Sequence, residues 1–311
     1  MHKHLSRAAL LATAATAIAA GPAQAAYTSS IAGSTVTMTG DAAADTIVLD
    51  QSAGLLRHNR FPGDPGFNSA FDFSSSVAGD QTVSAASNAT TVKVNAGDGA
   101  DILTVGSASA PGTAISTPFE FDGGNQVDTF NLEASADTTA RDFAWSATGQ
   151  TLVVGTGSWF HPGVEVASAR LGSGADMVRV ASTDNNGTAA FDSGPGDDSF
   201  LFGQSGTTLG TVVGPITVDA GAGTDSLLFG DSAQTGRHGY RIDSTTFNRD
   251  ELGVVTFANA ESGRLDSSSG VDNVYKRGSL PFTFNEGVGA DNISSVDSVD
   301  HNSAPIAPMH V

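Results

Sequence analysis

Apolar and polar residues alternate through most of the chain, the period of a half-buried strand. The alternation comes in short runs of similar form. Ile216 and Val218 lead to Gly221, Gly223 and Asp225, and Leu227 and Phe229 follow. Val92 and Val94 lead to Gly97, Gly99 and Asp101, then Leu103 and Val105. Phe119 and Phe121 precede Asp128, Phe130 and Leu132; Ala169 and Leu171 precede Asp176, Val178 and Val180; Phe191 precedes Asp198, Phe200 and Phe202. Leu265 leads to Asp272 and Val274, and Phe282 and Phe284 lead to Asp291 and Ile293. An eroded copy around Val36, Met38, Asp45, Ile47 and Leu49 opens the series. Each run reads strand, glycine bend, aspartate, strand. Almost no helical period occurs beyond the first residues.

Recurrence of one turn chemistry predicts stacked coils rather than a sandwich, whose turns differ from one another. The expected fold is all-β, a parallel β-solenoid of β-helix or β-roll type with one G-x-G-x-D turn per coil. The bends should then pile into a single file. A longer period makes Asp45, Asp128 and Asp225 equivalent, likewise Asp80, Asp176 and Asp272, and likewise Asp101, Asp198 and Asp291. The segment from Phe143-Ala-Trp145 to Arg170-Leu171 loosely matches that from Tyr240-Arg-Ile242 to Arg264-Leu265. Three tandem units follow, about 26–113, 114–210 and 211–297, forming one repeat domain over 26–297. Such units bury their faces against neighbours and do not fold well alone. Residues 51–76 read as irregular coil with some strand, capping the open end of the core, and 298–311 as a disordered tail.

Residues 1–25 read as a secretory signal peptide: Lys3 and Arg7, an apolar run from Ala8 to Ala20, then Ala23-Gln24-Ala25. The expected location is secreted, extracellular, without membrane insertion. There is no cysteine, and the net charge is −19. No disulfide holds the fold, and no basic stripe serves nucleic acid. So much like charge on one chain repels itself, which divalent cations relieve.

Each bend has features of an oxygen-ligand site. Glycines stand four and two residues before the closing aspartate. Six residues before it stands Asn95, Asp122, Asp192, Asp219, Asp266 or Asn285. Glycine lets backbone carbonyls converge, and the aspartate adds an anionic oxygen. Carboxylates and carbonyls together suit Ca²⁺, which takes six to eight oxygens in loose geometry. The competing reading is that these Asp and Asn side chains merely close turns on nearby N–H groups.

The bends resemble the glycine- and aspartate-rich calcium repeats of RTX (haemolysin-type) proteins, whose signature is G-G-x-G-x-D-x-U-x with U apolar. That resemblance implies a parallel β-roll binding Ca²⁺ between coils. It makes Asp101, Asp128, Asp176, Asp198, Asp225 and Asp291 ligands, with Asn95, Asp122, Asp192 and Asp219 at the second acid position of the loop. Asp45 and Asp272 join them with eroded glycines. The family's first glycine is replaced by Ala96, Leu171, Ser193, Ala220 and Glu286.

Other chemistry is sparse. His161 and His238 are isolated, and no metal-type His spacing occurs. Arg170 and Arg264 occupy matching places beside the bends, which leaves open a calcium-dependent polysaccharide lyase; pairing with turn carboxylates is the simpler role. The function expected is a calcium-binding, non-enzymatic extracellular surface, matrix or adhesion protein. Its expected partners are calcium ions and cell-surface or matrix polysaccharide. The alternatives are a polysaccharide-active enzyme and a metal-free structural solenoid.

Overall fold

The computed structural model describes residues 28–32, 34–52, 55–58, 82–84, 91–115, 117–147, 149–152, 158–161, 164–183, 187–203, 208–250, 253–287, 289–296 and 309–310. The signal segment, residues 53–54 and 59–76 of the cap and most of the 298–311 tail lie outside them. The described chain is nearly all β, with two short 3₁₀ turns. Its strands form a 12-stranded and a 15-stranded sheet, in which most neighbours are parallel.

The alternation in sequence becomes alternation in burial. Val92 and Val94 point inward from the strand Thr91–Asn95 while Lys93 points outward. Parallel pairing in register then stacks like positions into columns. In the larger sheet Ile47, Leu103, Phe130, Ala167, Ala189, Ile216 and Val255 form one inward column. Leu49, Val105, Leu132, Ala169, Phe191, Val218 and Phe257 form a second. In the smaller sheet Trp145, Val180, Phe202, Phe229 and Leu265 follow one another. Phe202 and Phe229 stack with ring centroids 5.0 Å apart. Where Gly263 stands in the neighbouring column, the Phe282 ring fills the place a Cβ would take. All these columns belong to one core, and each fully buried Val, Leu, Ile or Phe side chain contributes roughly 1.5–3 kcal/mol.

The chain passes repeatedly from one sheet to the other, so each bend joins a strand of one to a strand of the other. Three antiparallel meanders interrupt this rhythm. The first runs through Thr46–Ser52, Leu55–His58 and Thr82–Ser84 in the larger sheet. The second runs through Asp142–Ser146, Gly149–Leu152 and Ser158–Phe160 in the smaller sheet. The third runs through Gly239–Ile242, Thr246–Arg249 and Val255–Ala258, again in the larger sheet. The second and third account for the two long segments that match in sequence.

Across each of those two meanders the bends change sides. The bends ending at Asp101 and Asp128 precede the strands Ile102–Ser107 and Thr129–Glu133 of the larger sheet. The bend ending at Asp176 follows Val166–Arg170, which lies parallel beside Thr129–Glu133. These bends therefore sit at opposite ends of parallel neighbours. The expected single file is instead three shorter files. Asp45, Asp101 and Asp128 occupy one edge, Asp176, Asp198 and Asp225 the other, and Asp272 and Asp291 the first edge again. Counted from the meanders, Asp101, Asp176 and Asp272 hold matching places, and so do Asp128, Asp198 and Asp291. Asp45, Asp128 and Asp225 each close the last bend before a meander, the equivalence read from spacing, whereas Asp101 stands with Asp176 and Asp272 rather than with Asp198 and Asp291.

Candidate metal centre in the glycine–aspartate bends

The bends stack on one another backbone to backbone. Asp98 bridges to Asn125, and Pro195 to Ala222. Asn125 N–H donates to Gly97 O at 3.2 Å, and Ala222 N–H to Gly194 O at 3.2 Å. Contact is so close that a Cβ on Gly124 would overlap the Gly97 carbonyl, and one on Gly221 the Gly194 carbonyl. Both glycines also have positive φ, 92° and 85°, so only glycine fits without strain. In the bend before Asp128, the second glycine position holds Gln126, at φ 85°.

The closing aspartates form ladders. They turn inward, and from Asp101 onward the Oδ1 of each accepts the backbone N–H of the residue at the matching place one bend earlier. Asp45 N–H donates to Asp101 at 2.7 Å, and Asp101 N–H to Asp128 at 2.8 Å. On the opposite edge Arg141 N–H donates to Asp176, Asp176 N–H to Asp198, and Asp198 N–H to Asp225, each at 2.7 Å. In the last file His238 N–H donates to Asp272 and Asp272 N–H to Asp291, both at 2.8 Å. Two glutamates finish the first two ladders. Glu165 accepts Asp128 N–H at 2.9 Å, and Glu261 accepts Asp225 N–H at 2.6 Å.

Asp45, Asp101, Asp128, Asp176, Asp198, Asp225, Asp272 and Asp291 are all buried, none more than 3% exposed. The second carboxylate oxygen, Oδ2, of Asp101, Asp128, Asp176, Asp225 and Asp291 is buried and accepts no hydrogen bond. Beside Asp198 lies the Ser193 hydroxyl. Asp272 is satisfied differently: Ser268 Oγ lies 2.9 and 2.8 Å from its two oxygens.

Burial without a cationic partner disfavours the charged form. It raises Asp128 to about 6, assisted by the charges of Asp101, Glu165 and Asp122 and opposed by the Asp101 N–H. Burial likewise raises Asp176 to about 6, with Asp198 and Asp137 adding to it and the Arg141 N–H opposing. Asp101, Asp198 and Asp225 shift upward for the same first reason.

Residues of the second acid position sit elsewhere. Asn95 pairs in register with Asp122, Asp192 with Asp219, and Asp266 with Asn285, all at strand ends. Asn95, Asp122 and Asp219 are exposed, and Asp192 is half-buried. Asp192 Oδ1 accepts Gly194 N–H at 3.2 Å, and Asp219 Oδ1 accepts Gly221 N–H at 3.1 Å. They close the bend from outside, as turn-forming Asp does. Among the described residues no group of three His, Cys, Asp or Glu side chains gathers where it could hold a metal. A cation in these bends would draw on one carboxylate oxygen per coil, and on backbone carbonyls or water for the rest. The partnerless Oδ2 atoms fit such a role; Asp272, already bonded by Ser268, fits it least.

Arg170 and Arg264 each face acids. Arg170 Nε is 3.2 Å from Asp192 Oδ2, and Arg264 Nε is 2.6 Å from Asp266 Oδ1. Glu165 and Glu261 lack the paired glycines that mark the other bends: Gly163 stands two residues before Glu165 but His161 four before, and Glu261 has Asn259 and Phe257 at those places. Each does stand directly before a strand, Val166–Arg170 or Ser262–Asp266, the place the closing aspartates also take. Sought among known families, characterised proteins and solved structures, no match to the chain is found.

Proposed function

We propose that the chain is a parallel β-solenoid of the RTX-like kind that binds Ca²⁺ in its glycine–aspartate bends. Passage between two sheets of mostly parallel strands, with inward columns in register, supports the solenoid. The observation that carries the calcium reading is the set of buried carboxylate oxygens without a partner. A buried carboxylate needs a hydrogen bond, a cation or a proton. Asp101 and Asp128 supply the ligands of the first file, Asp176, Asp198 and Asp225 those of the second, and Asp291 that of the third. Oxygen-only ligation with loose geometry favours Ca²⁺ over Mg²⁺. Affinity falls near that of other extracellular modules, ~0.1–1 mM.

The role that suits such a molecule is a secreted, non-enzymatic surface, matrix or adhesion protein whose fold is consolidated by extracellular calcium. Arg170 and Arg264 are engaged by carboxylates, which suits scaffold roles better than proton abstraction. A metal-free solenoid is the second reading, and the ladder N–H groups favour it, since they satisfy one oxygen of each aspartate unaided. Thermal unfolding with calcium and with EGTA at neutral pH separates the two. The calcium reading expects a clear fall in melting temperature on chelation. Identical melting curves would remove it and leave the metal-free scaffold.

A further inference from the structure

We propose that two copies of the chain pair through the strand Phe282–Asn285, antiparallel about a two-fold axis. Among the described residues four strands stand at sheet ends, each with one neighbour: Thr28–Ala32, Thr82–Ser84, Met309–His310 and Phe282–Asn285. The first three fold back antiparallel on the strand beside them. Phe282–Asn285 alone of the four runs parallel to its neighbour, Ser262–Asp266.

Its hydrogen bonds fix which backbone groups are on offer. Gly263 N–H donates to Pro281 O at 2.8 Å, and Ser267 N–H to Asn285 O at 3.1 Å. Residues 281, 283 and 285 therefore face inward along the sheet. The N–H and C=O groups of Phe282 and Phe284 face the free edge. An exposed edge of this kind is a template for another strand.

The side chains point to the same occupant. Phe282 and Phe284 are only half-buried, stack with centroids 5.8 Å apart, and finish the aromatic column below Phe229. Leu280 and Ile293 also pack against the core only half-buried. In a chain of net charge −19, most surfaces repel a second copy. Residues 282–285 carry no charge, so this edge escapes that repulsion.

Register follows from the pleat. Directly opposed residues of an antiparallel pair share a face, so phenylalanine must oppose phenylalanine to continue the core. Centred on Thr283, the pair sets Phe282 against the partner's Phe284, with their outward N–H and C=O groups bonded. Thr283 then meets the partner's Thr283 in a non-hydrogen-bonded position, at about 4.5 Å between Cα atoms. That spacing suits a disulfide, and the native chain has no cysteine.

The experiment uses the full secreted chain in calcium-containing buffer. Light scattering across a concentration series should show a monomer–dimer equilibrium. Thr283→Asp, at an exposed position, should abolish it without changing the circular dichroism spectrum. Thr283→Cys should oxidise to a covalent dimer several-fold faster than Thr138→Cys, an exposed site on a distant bend. A monomer at every concentration, with equal oxidation of the two cysteine variants, would overturn the proposal. So would open-ended oligomers, since a two-fold contact closes at two.

Discussion

At the scale of single residues, the bends separate what glycine must do from what another residue can be forced to do. Gln126 holds a positive-φ position that other bends fill with Gly99, Gly196 or Gly223. A non-glycine residue there costs of order 1 kcal/mol, so Gln126→Gly should stabilise the protein by about that much, measured by urea unfolding. A lower midpoint at unchanged slope would show that the Gln126 side chain contributes more than its backbone costs. Asp128 offers a sharper distinction. Asp128→Asn keeps an oxygen for the Asp101 N–H and removes a buried charge raised to about 6 by desolvation. Without calcium this variant should melt at or above the native temperature; with calcium it should gain less than the native chain. An equal calcium gain in both would remove Asp128 from the ligand set. The closing aspartates were legible because glycine spacing marks them. Glu165 and Glu261 were not, because they reach the same ladders from stretches without that spacing.

Among elements, the carboxylate file behaves as a unit whose members share one environment. Asp101, Asp128, Asp176, Asp198 and Asp225 all shift upward, first through burial. A carboxyl group whose folded pKa exceeds its unfolded value binds more protons when folded. Its stabilisation is complete below the unfolded value of 3.8 and is lost as pH rises through about 6. The calcium-free protein should therefore melt at progressively lower temperature between pH 4 and pH 7, by differential scanning calorimetry. Saturating calcium should reverse the trend, since its ligands must be deprotonated. A calcium-free melting temperature that rose over this window would show that the aspartates already have cationic partners. Strands and bends were readable from period and glycine. The meanders were not, because nothing in the residues of Gly149–Leu152 or Thr246–Arg249 marks the direction in which they pair. Only pairing reveals that they run antiparallel, and that pairing moves the bends from one edge to the other.

For the whole molecule, the inward columns from both sheets belong to one core, so stability is shared across the strands that build it. The sequence identified an all-β, largely parallel chain correctly from recurrence. It suggested one file of bends because spacing carries no information about which edge a bend occupies. Division into three files has a consequence for calcium. Each file crowds its own carboxylates, so ions should enter in groups rather than one at a time. The most direct test is elemental analysis of the folded, dialysed protein after equilibration with millimolar calcium and excess magnesium. The account predicts more than one calcium per chain, little magnesium, and loss of the bound metal in Asp→Asn variants of the closing residues. Folded protein that retains less than one calcium per chain under those conditions would contradict it.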